Sequence, residues 1–441
     1  MGERIFDGHE VLVRLRELPG GRELLDLARG RDDVELVGGA VRDLMLGRHP
    51  RELDVAVGGG ESFPGAASAF TAELATRLDT VSTSEHERFG TALVAWNGGR
   101  IDVATRRAES YSAPGALPDV RAGTPEEDLR RRDFTANAIA VTLDTTRPGE
   151  VRAPPGALED LRAGRLRVLH DASFRDDPTR LLRLARYRAR LGFTIEEHTA
   201  ALAAEAVASG ALETVSLARI GAELRLALGE ADMVAAIASI DALGLLTALP
   251  AALRFDEVTA HKALALLSEA GSDDTRPDLV LLATLLAHPG YPIYGGIHDE
   301  ARRQIAWMLD ELEFLAADRD LVLKTLVDGK SIAEKLVFAK TPSEIHTIAS
   351  RASLETVALL GARTSLPGTD NGNPITEAAR RWLAELHSVR LRITGQDLIA
   401  MGVPQGPEIG HRLNAALMRK LDGELADDRD AELVAALEAH P

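Results

Sequence analysis

Apolar and polar positions change their period once along the chain. Up to about residue 158, short apolar runs at 34–37, 52–57, 91–96, 100–105 and 136–143 predict strands. Helical spacing predicts helices within 1–30, through Val11, Leu12, Leu15, Leu18, Leu24, Leu25 and Leu27, and at 67–78. The segment 111–127, rich in Pro, Gly and acidic residues, reads as a loop, and Pro148-Gly149 with Pro154-Pro155-Gly156 reads as a domain boundary. Beyond Leu158 the strand signal fades, and 3.6-residue patterns predict helices at 178–192, 196–208, 216–228, 232–247, 257–270, 278–287, 300–316, 318–327, 343–360, 375–387 and 408–421. Pro367 to Pro374 reads as a linker that sets off a tail. The expected class is therefore α+β, with a mixed sheet-and-helix head followed by an extended all-α arm and no internal repeat.

Composition narrows this picture. A length of 441 residues suggests about three domains at roughly 150 residues each. The absence of Cys excludes disulfides, thiolate metal sites and cysteine nucleophiles, so any metal must sit on oxygen or imidazole ligands. His86, His170, His261 and His346 show no metal spacing. The charged opening Met1 to Asp7 is no secretory signal, and the longest apolar run, Leu279 to Ala287, is far short of a membrane span; no membrane partner and a cytoplasmic location are expected. A net charge of −17 argues against indiscriminate nucleic-acid binding. The stretch from Arg162 to Arg190 runs the other way, with nine Arg against Asp171, Asp176 and Asp177, and such an island suits a ligand held in one place.

Residues 34–54 carry the densest chemistry. Val34 to Val37 read as a strand, Gly38 and Gly39 as a turn that lets backbone approach an anion at a helix N-terminus, and 52–57 as a second strand. Alternation along that strand puts Glu52 and Asp54 on one face, where both can hold a divalent cation. In Ile101-Asp102-Val103-Ala104-Thr105, Asp102 stands where a neighbouring strand can add a third carboxylate. Three carboxylates suit a two-metal phosphoryl transfer.

The order Val37-Gly38-Gly39-Ala40-Val41-Arg42-Asp43, Leu46-Gly47 and Glu52-Leu53-Asp54 resembles the first motif of class II tRNA nucleotidyltransferases, the CCA-adding enzymes and their bacterial poly(A) polymerase relatives. The family motif has the form V-G-G-x-V-R-D-x-x-L-G followed by D-x-D. Glu52 replaces the usual first Asp, and its extra methylene moves the carboxylate by roughly 1.5 Å. Asp102 matches the acidic position of the family's x-[ED]-V-x-T. Asp128-Leu129-Arg130-Arg131-Arg132-Asp133-Phe134-Thr135-Ala136-Asn137-Ala138 resembles D-L-x-R-R-D-F-T-x-N-A. Guanidiniums can clamp phosphate oxygens bidentately, and the resemblance places Arg132 on the nucleotide with Asp133 and Asn137 orienting it.

Asp176-Asp177-Pro178-Thr179-Arg180-Leu181-Leu182-Arg183-Leu184-Ala185-Arg186 resembles the family's E-D-x-x-R-x-x-R-x-x-R helix, with Asp176 for Glu. By that resemblance Asp177 and Arg180, three residues apart, read the base edge. A carboxylate accepts from the exocyclic amine of cytosine or adenine, whereas uracil and guanine would leave it facing a carbonyl. Asp before Pro is also an ordinary helix start. Arg183 and Arg186 would reach toward phosphates or the base. Ser216 to Leu224 matches a further helix, with Arg219 and Glu223 one turn apart and read as structural, and Gly395-Gln396-Asp397-Leu398 with Gly406 and Gly410 resembles the C-terminal signature.

The resemblance implies a polymerase-β-like nucleotidyltransferase head at 1–148, a neck with the base-selecting helix at 149–230, a helical body at 231–366 and a tRNA-binding tail at 367–441. It implies catalytic Glu52, Asp54 and Asp102, with metal on Glu52 and Asp54. Nucleotide binding falls to Gly38, Gly39, Arg42, Asp43, Arg132, Asp133, Asn137, Asp177, Arg180, Arg183 and Arg186. Mg²⁺ is the expected cofactor, CTP and ATP the substrates, and the acceptor stem and 3′ end of tRNA the partner. The motifs are shared by enzymes adding CCA, CC alone, A alone or poly(A), and a catalytically inactive RNA-binding protein is the rival of another class. The segment 108–126 is the place where such differences are expected. The oligomeric state stays open.

Overall fold

The computed structural model describes residues 7–59, 63–86, 89–144, 147–249, 253–286, 299–363 and 373–439. The expected linker lies outside them up to residue 372, as do Met1 to Phe6 and Ala287. The chain forms two compact units, Met1–Ser216 and Leu217–Pro441.

The first unit is built on β1 (Val34–Val37), β2 (Leu53–Val57), β3 (Thr80–His86), β4 (Thr91–Trp96), β5 (Gly99–Thr105), β6 (Arg107–Ser110), β7 (Asp119–Ala122), β8 (Ala140–Thr142) and β9 (Val151–Arg152). Seven of these make one mixed sheet in the order β3-β4-β5-β2-β1-β8-β9. All its ladders are antiparallel except β2 against β5, which run parallel with Leu53 beside Ile101 and Asp54 beside Asp102. All four residues of β1 are buried, as expected for a short apolar strand in a sheet centre. The helices Gly38–Met45 and Ala66–Ala75 pack against the sheet through Val41, Leu44, Phe70 and Leu74.

Several local expectations need correction. The segment 111–127 is loop only in part: β7 pairs with β6, and the helix Pro125–Arg130 follows, closed by Thr124 and Glu127 in a capping box. The strand β3 went unread because it is a polar sheet edge, six of its seven residues exposed, with no alternation to detect. The strand expected at 136–143 is a 3₁₀ turn, Thr135–Asn137, followed by the short β8, and Glu52 lies just ahead of β2. Beyond Leu158, a two-residue parallel ladder joins β10 (Arg165–Leu166) to β11 (Thr194–Ile195).

The second unit is helical, with no strand among the described residues. The helix Pro277–Leu286 buries every residue from Leu279 to Leu286, so its apolar run is core. The helix expected over 300–316 ends at Glu311, two residues before Glu313 turns into the left-handed region at φ 57°. The next helix continues past Gly329 to Leu336, because Ile332, Ala333 and Leu336 keep the apolar spacing. The 343–360 pattern is two helices, Pro342–Ala349 and Leu354–Ala362, the second restarted by the Ser353 cap. A separate small core of Ile393, Leu398, Val403, Ala416, Ala435 and Ala436 holds the tail, including a helix at Arg429–Glu438 that the pattern missed. Among the described residues no helix is long and apolar enough to cross a membrane.

Candidate active site

The parallel β2/β5 pair decides the geometry. Parallel strands put in-register side chains on the same face, so Asp54 and Asp102 are neighbours and Glu52 joins them. One oxygen from each of the three carboxylates lies within 4.8 Å of the other two. They line a cavity of about 440 Å³ together with Arg100, Arg107, Arg131 and Arg132.

Crowding of like charge shows in the titration of this corner. Burial, then the charge of Glu52, pushes Asp54 up to about 7, against the pull of Arg132 and Arg100. Asp102 is raised as well, by burial against the pull of Arg100. The donor set is all carboxylate, with no thiol or imidazole, and suits a hard, oxygen-seeking divalent cation.

Gly38 opens the helix beside this corner at φ 70°, and a Cβ there would sit 2.9 Å from Arg132 Nη1 and 3.5 Å from Asp54 Oδ2. The left-handed backbone requires glycine. The Gly38 N–H is already donated to Ile139 O at 3.0 Å, so any anion must use Gly39 and the amides after it. A Cβ on Gly39 would meet only ordinary contact with Arg42. Arg132 donates from Nη2 to Asp128 Oδ2 at 3.0 Å, while its Nε is a buried donor without a hydrogen-bond partner. Asp128 also receives Arg131, and these two guanidiniums overcome its burial to hold it down at about 2.

Most other expected residues fall into a second, buried constellation. Arg42 is 1% exposed and donates to Asp43 Oδ1 at 2.8 Å and to Asn137 Oδ1. Asp43 also pairs with Arg190 at 3.3 Å. The Asn137 amide donates to Asp133 Oδ1 at 3.0 Å, and Arg183 closes on Asp133 Oδ2 at 2.6 Å. Burial raises Asp133, but Arg183 and the Asn137 amide outweigh it and hold the carboxyl at about 2. The ring of Tyr187 gathers three guanidiniums, Arg186 at 4.9 Å and Arg42 and Arg183 at 5.5 Å each, and meets Phe134 edge-on.

Asp177 lies just ahead of the helix Thr179–Leu191 and accepts from Thr179 N at 3.1 Å and Thr179 Oγ1 at 2.6 Å, so it does cap that helix. Arg180 is buried, with Nη1 on Ser173 Oγ and Nη2 on Arg131 O, both at 2.7 Å. The start of this helix is thereby tied to the segment that carries Arg132 and Asp133. The basic island is less basic than its count: Arg165 and Arg167 pair with Asp160, Arg175 with Asp176, Arg183 with Asp133 and Arg190 with Asp43.

Sequence reasoning missed Arg100, Asp128, Tyr187 and the pairing role of Arg190. Arg100 had a signal, since it stands two residues before Asp102 and alternation puts both on one face. Tyr187 had a weaker one, one turn beyond Arg183. Asp128 was quoted as part of a motif, and only the fold reveals that it anchors two arginines.

Comparisons with known proteins agree with this geometry. Residues 34–167 match the family model of the poly A polymerase head domain. Over 462 aligned residues the chain is 32% identical to an A-adding tRNA nucleotidyltransferase of Geobacter sulfurreducens, covering 98% of this chain and 50% of that one. It is 31% identical to a CC-adding tRNA nucleotidyltransferase of Deinococcus radiodurans, covering 99% of this chain and 98% of the relative. A solved Thermotoga maritima CCA-adding enzyme complexed with tRNA superposes with a TM-score of 0.71 at 26% identity over 98% of both chains. The chain thus belongs to the tRNA nucleotidyltransferase and poly(A) polymerase family. It spans about half the length of the Geobacter relative.

Proposed function

We propose that this protein is a template-independent, cytoplasmic tRNA nucleotidyltransferase that uses CTP and ATP to extend the 3′ end of tRNA. The observation that carries the reading is the convergence of Glu52, Asp54 and Asp102 on adjoining strands beside the Gly38 turn and Arg132. In the reaction the 3′-hydroxyl oxygen of the RNA bonds to the α-phosphorus while the bond to the β-phosphate bridge breaks, and pyrophosphate leaves.

Glu52, Asp54 and Asp102 would hold Mg²⁺, which lowers the pKa of the attacking hydroxyl and offsets charge on the leaving group. Arg132, fixed through Asp128 with its Nε still to be satisfied, is the triphosphate clamp. Asp133, Asn137, Arg42 and Asp43 shape the nucleotide floor, braced by Arg183 and Arg186. Asp177 and Arg180 select the base: a guanidinium has five N–H donors, and Ser173 and Arg131 engage only two of those of Arg180. The helices beyond residue 230 and the tail receive the RNA through its backbone.

The second reading is a partial activity, A alone or CC alone, because the relatives at 32% and 31% identity aligned over 98% and 99% of this chain carry those names. One assay separates them: the protein with Mg²⁺, each labelled nucleotide in turn, and tRNAs ending before, within or one short of CCA. CCA completion supports the first reading, A-only or CC-only extension the second, long A tails the poly(A) branch of the family, and no extension defeats all. In the same assay Asp177→Asn should keep the helix cap and relax discrimination against UTP and GTP; unchanged discrimination removes Asp177 as the base reader.

A further inference from the structure

Alternation and register place one cation inside the carboxylate corner. Arg100 precedes Asp102 by two residues on β5 and shares its face. Because Leu53 aligns with Ile101, the residue beside Arg100 across the parallel pair is Glu52. The Arg100 guanidinium forms an ion pair with Glu52 Oε2 and donates from Nε to Asp102 Oδ2 at 3.0 Å. One side chain thus engages two of the three carboxylates that could hold a metal. The Arg100 side chain remains 49% exposed, so a path to solvent is open to it.

We infer that Arg100 is a displaceable counter-cation of the metal site: it neutralises Glu52 and Asp102 while the site lacks a divalent ion, and it must release them for the ion to bind. This rests on the metal-site reading above. Three carboxylates within 4.8 Å repel one another, and the Arg100 fork lets the sheet close around them without an ion. The cost of that arrangement is competition, because each carboxylate oxygen that Arg100 holds is a ligand the metal must win back. Half-exposed ion pairs are individually weak, so the competition should tune affinity without blocking binding. Once released, the guanidinium stays at the mouth of a cleft proposed to admit a triphosphate.

The test uses the full chain without nucleotide or RNA and Mn²⁺ as the probe, followed by isothermal titration and by the electron paramagnetic resonance of free Mn²⁺. Arg100→Ala and Arg100→Gln should bind Mn²⁺ roughly three- to tenfold more tightly than the unaltered chain. Both should also show a lower metal-free melting temperature and a larger Mn²⁺-induced rise. Arg100→Gln keeps a hydrogen-bond donor and serves if the Ala variant does not fold. Equal or weaker Mn²⁺ binding in the foldable variants overturns the inference and makes Arg100 a support for the ligands. Asp54→Asn in the same titration tests the site itself: if it binds Mn²⁺ as the unaltered chain does, the metal-site reading falls whatever Arg100 does.

Discussion

Two constellations in the first unit handle charge in opposite ways. At the cleft no guanidinium among the described residues closes on Asp54, and burial with the charge of Glu52 pushes it up to about 7. In the buried network Asp133 is fully provided with Arg183 and Asn137 and is held at about 2. Burial raises a carboxyl in both places, so the difference lies in the partners. A buried carboxylate supplied with its own guanidinium is finished, whereas one surrounded by other carboxylates needs a cation from elsewhere. In the function proposed above, the first arrangement would fix the shape of the nucleotide floor and the second would receive an ion.

The largest effect should come from Asp54→Asn. Transfer should fall by roughly 10³-fold or more, a loss typical of removing a main electrostatic element, as measured by single-turnover nucleotide incorporation. Stability should move the other way. With its folded pKa raised above the ordinary carboxylate value of 3.8, Asp54 makes the folded chain bind more protons than the unfolded one. Metal-free stability should therefore fall as pH rises from about 4 to about 7, and Asp54→Asn should remove that slope in calorimetry with EDTA. Metal binding expels the same proton, so Mg²⁺ affinity should rise with pH until about 7 and level off. A metal-free melting temperature insensitive to pH over this range would break the contrast.

Asp133→Asn is the matching change in the network. It takes the buried carboxylate away from Arg183, which is 31% exposed and keeps its hydrogen bond to the Tyr187 hydroxyl, and should cost about 1.5–3 kcal/mol of stability in urea unfolding. The pH dependence has the opposite sign. A depressed carboxyl contributes stability above its unfolded pKa and loses it as pH falls from about 4 toward 2. The KM for nucleotide should rise several-fold in the folded fraction of this variant, while Mn²⁺ affinity per folded molecule should stay near normal. A stable Asp133→Asn protein would mean that the network is not what holds the floor.

How far these two regions were legible follows from how local their determinants are. The cleft was readable because strand alternation sets the faces of Glu52, Asp54 and Asp102, and the Gly38 turn is a local signal. Arg100 obeys the same rule, but as a cation among ligands it matches no metal-site pattern. The network could not be assembled from spacing, since Arg42, Asn137 and Asp133 meet where the helix Gly38–Met45 packs by the Thr135–Asn137 turn, and Arg183 reaches Asp133 from the helix Thr179–Leu191; the motif resemblance named them without their contacts. The helix Pro125–Arg130 shows a different failure: its Thr124-Pro125-Glu126-Glu127 capping box is plain in the sequence, yet Pro and acidic content outweighed it. The edge strand β3 offered no period at all.

Tyr187 gives the finest test of the contrast, because it belongs to the network through its ring more than its hydroxyl. Tyr187→Phe keeps the surface that Arg186, Arg42 and Arg183 face and loses only the 3.2 Å hydrogen bond from Arg183. That should cost about 0.5–1 kcal/mol. Tyr187→Ala removes the ring and the edge contact with Phe134 as well, and should cost about 2–3 kcal/mol for a half-buried aromatic. With the ring gone, Arg183 is freer to leave Asp133, so the KM for nucleotide should rise several-fold in the Ala variant and hardly change in the Phe variant. Mn²⁺ affinity should stay constant in both, because no carboxylate of the cleft touches this ring. Equal destabilisation by the two substitutions would assign the energy to the hydroxyl rather than to the ring.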